Sequence, residues 1–237
     1  MSFLVPSRRT DEEILDRPGN AEADLAAAFE NIRTVNRRLS GSKILLEALD
    51  PFLAWASPGE TFEILDVGSG GGDLLLDLAA HARGRGVDVR IVGVDRDPAT
   101  ARIARRACAS DPSIEIVEAD AFKLPYPEKR FDVVTSSLFL HHLEYQEGVV
   151  LVRRLLRLAR KAVVVNDLRR HLVPWAFIAI AARVARAHPM FVHDAALSVL
   201  RGFTEEELQA LCQDAGAALA TVQRRWPYRL VATLPAR

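Results

Sequence analysis

A short apolar run followed by a glycine-dense turn constrains this chain more than any other feature. Residues 64–73 read Ile-Leu-Asp-Val-Gly-Ser-Gly-Gly-Gly-Asp, and the apolar segment 74–80 that follows has the composition of a helix. A strand, a glycine turn and a helix in this order form the nucleotide-binding corner of doubly wound α/β folds. Glycines at the turn permit positive φ and let a ligand approach the backbone. The sequence therefore predicts a site for a nucleotide-derived ligand.

The charges around the turn indicate which ligand this is. A dinucleotide fingerprint requires a third glycine where this chain has Asp73, and Asp66 stands just before the turn. A carboxylate ~4 Å from a pyrophosphate costs about 4 kcal/mol at an effective dielectric of ~20. A nicotinamide-dependent oxidoreductase is therefore disfavoured. A cationic ligand fits better, and S-adenosylmethionine carries both an ammonium and a sulfonium.

Four motifs in register carry a family resemblance. Asp66-x-Gly68-x-Gly70-x-Gly72 resembles the first motif of class I S-adenosylmethionine-dependent methyltransferases, and the ranges 92–95, 118–122 and 130–137 resemble their next three strand ends. The match extends from about residue 60 to about 170. It implies an α/β fold with a doubly wound, seven-stranded, mostly parallel sheet of the Rossmann-like methyltransferase type. An N-terminal helical extension and a helical insertion after strand five complete the expected architecture.

The expected elements follow from apolar periodicity. Helices are expected at 22–39 and 43–55, the second ending at Pro58-Gly59, and they either pack on the sheet or form a lid. Alternating strands and helices then indicate a parallel sheet with right-handed crossovers. The expected strands are 62–67, 89–95, 114–119, 131–136, 162–165, 217–223 and 228–234, and further helices are expected at 74–83 and 147–159.

The chain divides into an extension and a core. Residues 1–58 are expected to form an irregular arm and a helical lid, and residues 59–237 the cofactor-binding core with a substrate-side insertion at 168–203. Within the insertion, the apolar run 172–182 is too short to span a bilayer, which needs roughly 20 residues. Buried core, a dimer face, a membrane-surface contact and the wall of an apolar pocket all remain open for it.

Composition excludes several classes of protein. The formal net charge is +0, and no basic, aromatic-rich patch is present, so nucleic acid is not an expected partner. Cys108 and Cys212 lack metal-ligand spacing, so neither a metal site nor a disulfide framework is expected. Residues 1–6 do not resemble a signal peptide. We expect a cytoplasmic protein without stable membrane insertion, and a homodimer is possible.

The resemblance also implies which residues bind the cofactor. Asp66 would accept from its ammonium, Asp95 from its ribose hydroxyls and Asp120 from its adenine amine. The glycines and serines would lie along the methionine part, and the remaining residues near the adenine. The full set is Asp66, Gly68, Gly70, Gly72, Asp95, Arg96, Asp120, Ala121, Phe122, Ser136 and Ser137.

Methyl transfer makes limited demands on catalytic side chains. The enzyme must align the nucleophile and exclude water, and an oxygen or carbon nucleophile must also lose a proton. A phenol has a pKa of about 10, so a histidine base is useful at neutral pH. The candidates are His142, His193 beside Asp194, and Asp167 at the end of strand five, with His141 a weaker one.

The acceptor is expected to be a small apolar aromatic molecule. The whole chain resembles methyltransferases of the ubiquinone and menaquinone biosynthesis type, and the ranges 166–170, 193–194 and 198–204 resemble bacterial members acting on phenolic or polyketide metabolites. The expected reaction is O-methylation of such a metabolite, leaving S-adenosylhomocysteine. C-methylation of a quinol or phenol, and a non-catalytic S-adenosylmethionine-binding protein, are the alternatives.

Overall fold

A single sheet of seven strands forms the centre of the molecule. The computed structural model describes residues 4–39, 41–57 and 59–236. The strands are β1 (Phe62–Val67), β2 (Val89–Asp95), β3 (Ile114–Glu118), β4 (Phe131–Ser137), β5 (Ala159–Leu168), β6 (Thr221–Arg225) and β7 (Arg229–Pro235). Their order is β3-β2-β1-β4-β5-β7-β6. β1 to β5 are parallel, whereas β7 is antiparallel to both of its neighbours. The predicted fold class is confirmed.

Helices cover both faces of this sheet. They are α1 (Glu22–Arg38), α2 (Gly41–Leu53), α3 (Asp73–Gly84), α4 (Pro98–Cys108), α5 (Tyr145–Leu158), α6 (Leu172–Val184), α7 (Pro189–Arg201) and α8 (Glu205–Asp214). Apolar residues of α2 and α3 pack on one face, and those of α5 and α8 pack on the other. No helix in the described ranges is both long enough and apolar enough to cross a bilayer.

Two predicted strands, β5 and β6, differ from the structure by two or more residues at their ends. β5 covers Ala159–Leu168 instead of 162–165, because antiparallel pairing with β7 continues to Leu168 opposite Arg229. Asn166 and Asp167 are polar yet fully buried in this extension, so an apolar pattern does not detect them. The final hairpin starts at Thr221 and not at 217, and β6 forms the sheet edge as expected.

The N-terminal region separates into three parts with different roles. Residues 4–20, which we call the arm, include a short 3-10 helix at Ile14–Asp16, and Glu13 beside it is buried. α1 packs against α2, α4 and α7. α2 lies on the sheet as a core helix and ends at Leu53, two residues before the predicted end. Pro58 and residues 1–3, on which other predictions rest, lie outside the described residues.

Candidate functional site

The carboxyl edge of the parallel strands opens into one cavity of about 780 Å³. This is the edge at which open α/β sheets bind ligands. The cavity is lined by the glycine turn, by the ends of β2 and β4, and by residues of α6, α7 and the arm. Its volume lies within the usual range for small-molecule sites. The cavity therefore has room for a ligand at the turn and a second molecule beside it.

The glycine turn adopts the backbone that its sequence predicts. Gly68 and Gly70 have φ of +79° and +52°, and both line the cavity. A Cβ on Gly68 would approach the Phe139 ring within 2.5 Å, and one on Gly70 would approach the Phe29 ring within 3.2 Å. Since Phe29 belongs to α1, that helix lies directly over the turn.

Gly72 has a different environment from the other two glycines. It does not line the cavity, and a Cβ there would lie 2.9 Å from Cys108 Sγ and 3.3 Å from Ala104. Its φ of +83° places it at the N-cap of α3. In this structure the missing side chain of Gly72 makes room for α4, and a contact between Gly72 and the cofactor stays a prediction.

Three carboxylates concentrate negative charge at the turn. Asp66 is 1% exposed, and its Oδ1 accepts a hydrogen bond from Thr135 Oγ1 at 2.6 Å. Burial first, and then the nearby charges of Asp73 and Asp95, raise the pKa of Asp66 to about 7, although the hydrogen bond from Thr135 opposes this shift. Burial also raises the pKa of Asp73 and that of Asp95. A cation bound among these groups would relieve their mutual repulsion.

Asp95 ends β2 and is already held by the backbone. Its two oxygens accept from Gly70 N at 3.1 Å and from Asp97 N at 3.0 Å. Each carboxylate oxygen retains a further lone pair, so the group can still accept from a ligand. The other predicted adenosine-side residues also line the cavity: Arg96, Asp120, Ala121 and Phe122. Asp120 also accepts from Phe122 N at 2.9 Å.

The two predicted serines point in opposite directions. Ser137 lines the cavity, and its Oγ lies 3.0 Å from Asn166 Nδ2, which donates to it. Ser136 is fully buried, does not line the cavity, and has an Oγ without a hydrogen-bond partner. Successive side chains on a strand face opposite sides of a sheet. The structure therefore turns Ser136 away from the cavity, and its contact with the ligand stays a prediction.

A histidine pair with carboxylate partners also lines the cavity. His141 Nδ1 lies 2.6 Å from Asp167 Oδ1, and His142 Nδ1 lies 2.6 Å from Asp16 Oδ2. Both histidines line the cavity, whereas the fully buried Asp167 does not. Burial alone would raise the pKa of Asp167, but His141 holds it below its usual range. Asp167 is thus placed to orient His141, and not to meet a ligand itself.

The acidic neighbours of His142 raise its pKa. Burial alone would lower the pKa of His142, but the hydrogen bond to Asp16 and the charge of Glu13 raise it above its ordinary value. An acceptor at Nδ1 fixes the tautomer whose Nε2 carries the free lone pair. The structure gives Nε2 no hydrogen-bond partner in the described part of the chain.

Glu13 completes this cluster from the arm. Its Oε2 accepts from Ser198 Oγ at 2.8 Å, and its buried Oε1 has no hydrogen-bond partner among the described residues. Glu13, His141 and His142 offer ligand atoms within 4.8 Å of one another, close enough to share a metal ion. Arg201 Nε lies 3.8 Å from Oε1 and already provides a countercharge. The expectation of no metal stays a prediction.

His193 lies outside the cavity. Its side chain is half exposed, and its Nδ1 contacts Asp194 Oδ1 at 2.7 Å. On α7 it is Asp194 that faces inward, where its oxygens accept from Ile14 N at 2.9 Å and Leu15 N at 2.8 Å. The structure therefore does not bring His193 to the cavity, and its contact with substrate stays a prediction. Asp194 anchors the arm.

Several cavity residues escape sequence reasoning. Glu13 and Asp16 belong to the acidic stretch 11–16, which has the composition of a solvated surface segment. Phe29 resembles an ordinary apolar residue of an amphipathic helix, and Arg201 is one of many arginines. Only the structure shows that Arg201 Nε and Nη2 bind the carbonyl oxygens of His141 and His142 at 3.1 and 2.6 Å.

Comparisons with known proteins agree with this geometry. A family model described as a methyltransferase domain matches residues 64–162. A demethylmenaquinone methyltransferase of Deinococcus radiodurans is 38% identical over 95 residues, which are 39% of this chain and 38% of that protein. An rRNA methyltransferase of Streptomyces thermotolerans is 30% identical over 151 residues, which are 63% of this chain and 44% of that protein. The chain thus spans less than half the length of these curated relatives.

The fold also matches solved structures. A SAM-dependent methyltransferase from Aquifex aeolicus has a TM-score of 0.63 at 16% identity, covering 92% of this chain and 100% of that chain. At this identity the likeness concerns the fold alone. The methyltransferase-domain model, the curated relatives and the shared fold make this chain similar to S-adenosylmethionine-dependent methyltransferases.

Proposed function

We propose that this chain transfers the methyl group of S-adenosylmethionine to a hydroxyl oxygen of a small, apolar, aromatic molecule. The observation that carries the proposal is one cavity lined by two chemically different groups of residues. Buried carboxylates concentrate at the glycine turn, and a carboxylate-supported histidine pair lines the same cavity. The carboxylates suit a cationic cofactor, and the histidine pair suits an acceptor that must lose a proton.

The residues at the turn fit S-adenosylmethionine by charge. Asp66 would accept from the ammonium and Asp95 from the ribose hydroxyls, with Asp120 near the adenine amine. These groups line the cavity, and a positively charged ligand would lower the raised pKa of Asp66 and Asp95. When bound, the cofactor supplies a methyl group on a sulfonium, an electrophilic carbon with a neutral leaving group.

His142 is assigned as the general base. Nε2 of the neutral imidazole would take the acceptor's hydroxyl proton while the oxygen attacks, and Asp16 would stabilise the imidazolium through Nδ1. His141, fixed by Asp167, would position the acceptor beside it. The arm and α1 cover this part of the cavity and would exclude water, so α1 acts as the lid and α2 as a core helix.

The apolar side of the cavity supports an apolar acceptor. Residues of α6 and α7 that line it include Val173, Phe177, Ile178, Phe191 and Val199. A relative named as a demethylmenaquinone methyltransferase agrees with an acceptor that carries a quinone-type ring. C-methylation of a quinol or phenol remains the second candidate, because it would use the same base.

Labelled methyl transfer tests this function. The purified chain would be incubated with methyl-labelled S-adenosylmethionine and, separately, with polycyclic phenols, demethylated quinols and total ribosomal RNA. We expect label in a phenol, with the new methyl on oxygen by NMR. Label on a ring carbon favours the second candidate, label only in RNA contradicts the acceptor class, and cofactor binding without any transfer favours a non-catalytic protein.

Two histidine variants test the base. His142→Ala should lower kcat by about 100-fold or more while leaving the affinity for S-adenosylhomocysteine unchanged. His193→Ala removes a histidine outside the cavity and is the matched control, with kcat close to that of the parent chain. Equal losses in the two variants would contradict the assignment.

A further inference from the structure

One helix of the insertion exposes an unusually apolar surface. On α6, the side chains of Val173, Phe177, Ile180 and Val184 are 49%, 59%, 64% and 77% exposed. At 100° per residue, these four positions fall within a 60° arc and form one stripe along the helix. Of the described residues of α6, only Ala182 is buried. We call this stripe, together with the 83% exposed Trp226, the α6 face.

The α6 face continues into the cavity mouth. Val173, Phe177 and Trp226 line the cavity as well as the outer surface. Trp226 lies in the β6–β7 turn, close to where Arg229 pairs with Leu168 at the end of β5. An apolar molecule entering from this side would therefore meet the apolar side chains of the α6 face at the cavity mouth.

The charges around the α6 face are of one sign. Residues 168–193 contain four arginines and no aspartate or glutamate. Arg170 is held by Glu207, with nitrogen–oxygen distances of 2.8 and 2.6 Å. Arg183 and Arg186 are exposed at the C-terminal end of α6, and no carboxylate pairs with either within the described residues. An exposed apolar stripe with basic residues at its end is typical of helices that lie on anionic lipid surfaces.

We propose that the α6 face docks on an anionic lipid bilayer and receives its acceptor from it. This inference rests on the proposed function for the acceptor, which would be a membrane-dissolved aromatic molecule, but the docking stands on the surface alone. A second copy of the chain fits less well. A parallel two-fold contact through the stripe would bring Arg183 and Arg186 of both copies together. An antiparallel one would bring them towards the end of α6 that follows Arg169 and Arg170, and in neither case does the segment hold an acid to offset them. Either contact would also cover the cavity mouth.

Vesicle sedimentation tests the docking without using activity. The full chain would be mixed with phosphatidylcholine vesicles, with or without about a third phosphatidylglycerol. We expect binding to the anionic vesicles, weaker binding to the neutral ones, and loss of binding as salt increases. The double variant Ile180→Glu/Val184→Glu should reduce the partition coefficient at least tenfold. Neither residue lines the cavity, so turnover of a water-soluble phenol should be unchanged.

Leu219→Glu is the matched control. Leu219 is 71% exposed and precedes β6 at the end of that strand remote from Trp226. This variant should bind vesicles like the parent chain. The proposal is overturned if the parent chain ignores both vesicle types, if the control loses binding equally, or if the double variant converts a dimer to a monomer on a sizing column. Vesicle binding without methyl transfer would contradict only the proposed function.

Discussion

Replacing Asp66 with asparagine tests the idea that the glycine turn is built for a cation. Asp66 is buried, and its pKa is raised to about 7 from an ordinary value of 3.8. Asparagine has nearly the same shape, and its Oδ1 can still accept from Thr135 Oγ1. The substitution therefore removes the charge while retaining the packing and this hydrogen bond.

The shift in the pKa of Asp66 determines both how much Asp66→Asn changes the stability of the fold and how this change depends on pH. A shift from 3.8 to about 7 makes the ionised carboxylate cost the folded state about 4 kcal/mol at most. Because the folded-state pKa is the higher one, this cost is absent below pH ~4, grows as pH rises, and levels off above pH ~7. Asp66→Asn should therefore be more stable than the parent chain, and its advantage should be about 2 to 3 kcal/mol larger near pH 8 than near pH 5.

Thermal unfolding without ligand measures this advantage. For a chain of this size, we expect the gap in Tm between variant and parent to widen by about 5 to 10 °C between pH 5 and pH 8. Affinity for S-adenosylmethionine should fall about tenfold or more, because a charge-assisted hydrogen bond is lost. Asp88→Asn, at an exposed loop position, is the matched control and should change neither quantity. A pH-independent gap, or unchanged affinity, would refute the reasoning.

Three further changes test other parts of the site. Asp16→Asn should lower the pKa of His142, so the fall in kcat towards acid pH should move to lower pH; an unmoved profile would separate Asp16 from the base. Asp95→Ala should weaken S-adenosylhomocysteine binding about tenfold or more by calorimetry while the fold survives, and unchanged affinity would remove Asp95 from the site. Asp194→Ala removes the acceptor of two hydrogen bonds from the arm and should release it. We expect kcat to fall about tenfold or more and residues 4–20 to become sensitive to protease, while the affinity for the cofactor stays near that of the parent chain.

The cofactor half of the cavity was largely predictable from the sequence. Its parts are local: the glycine turn follows β1 directly, and Asp95 ends the next strand. Parallel strands bring their carboxyl ends to one edge, so motif order translates into position. At Gly72 and Ser136 the structure turns a residue away from the cavity within a correctly placed segment. A glycine that makes room for a helix and one that makes room for a ligand look the same in a sequence.

The acceptor half was not predictable in the same way. His142 was recognised as a candidate, but its partner Asp16 lies 126 positions away, and no spacing rule connects them. His193 was favoured over His141 because Asp194 stands beside it, yet Asp194 serves the arm. Long-range hydrogen bonds between polar groups leave no periodic trace, whereas apolar burial does.

The arm forms hydrogen bonds with a residue that is synthesised much later, Asp194. Its 3-10 turn is bonded to Asp194 across 180 and 179 positions. On a ribosome, residues 4–20 emerge long before α7, so they must wait unpaired until most of the polypeptide has been synthesised. Contacts of such high order close late in folding. We therefore expect the glycine turn to form early in folding and the hydrogen bond between Asp16 and His142 to form late. The part of the cavity around His142 would then be completed last.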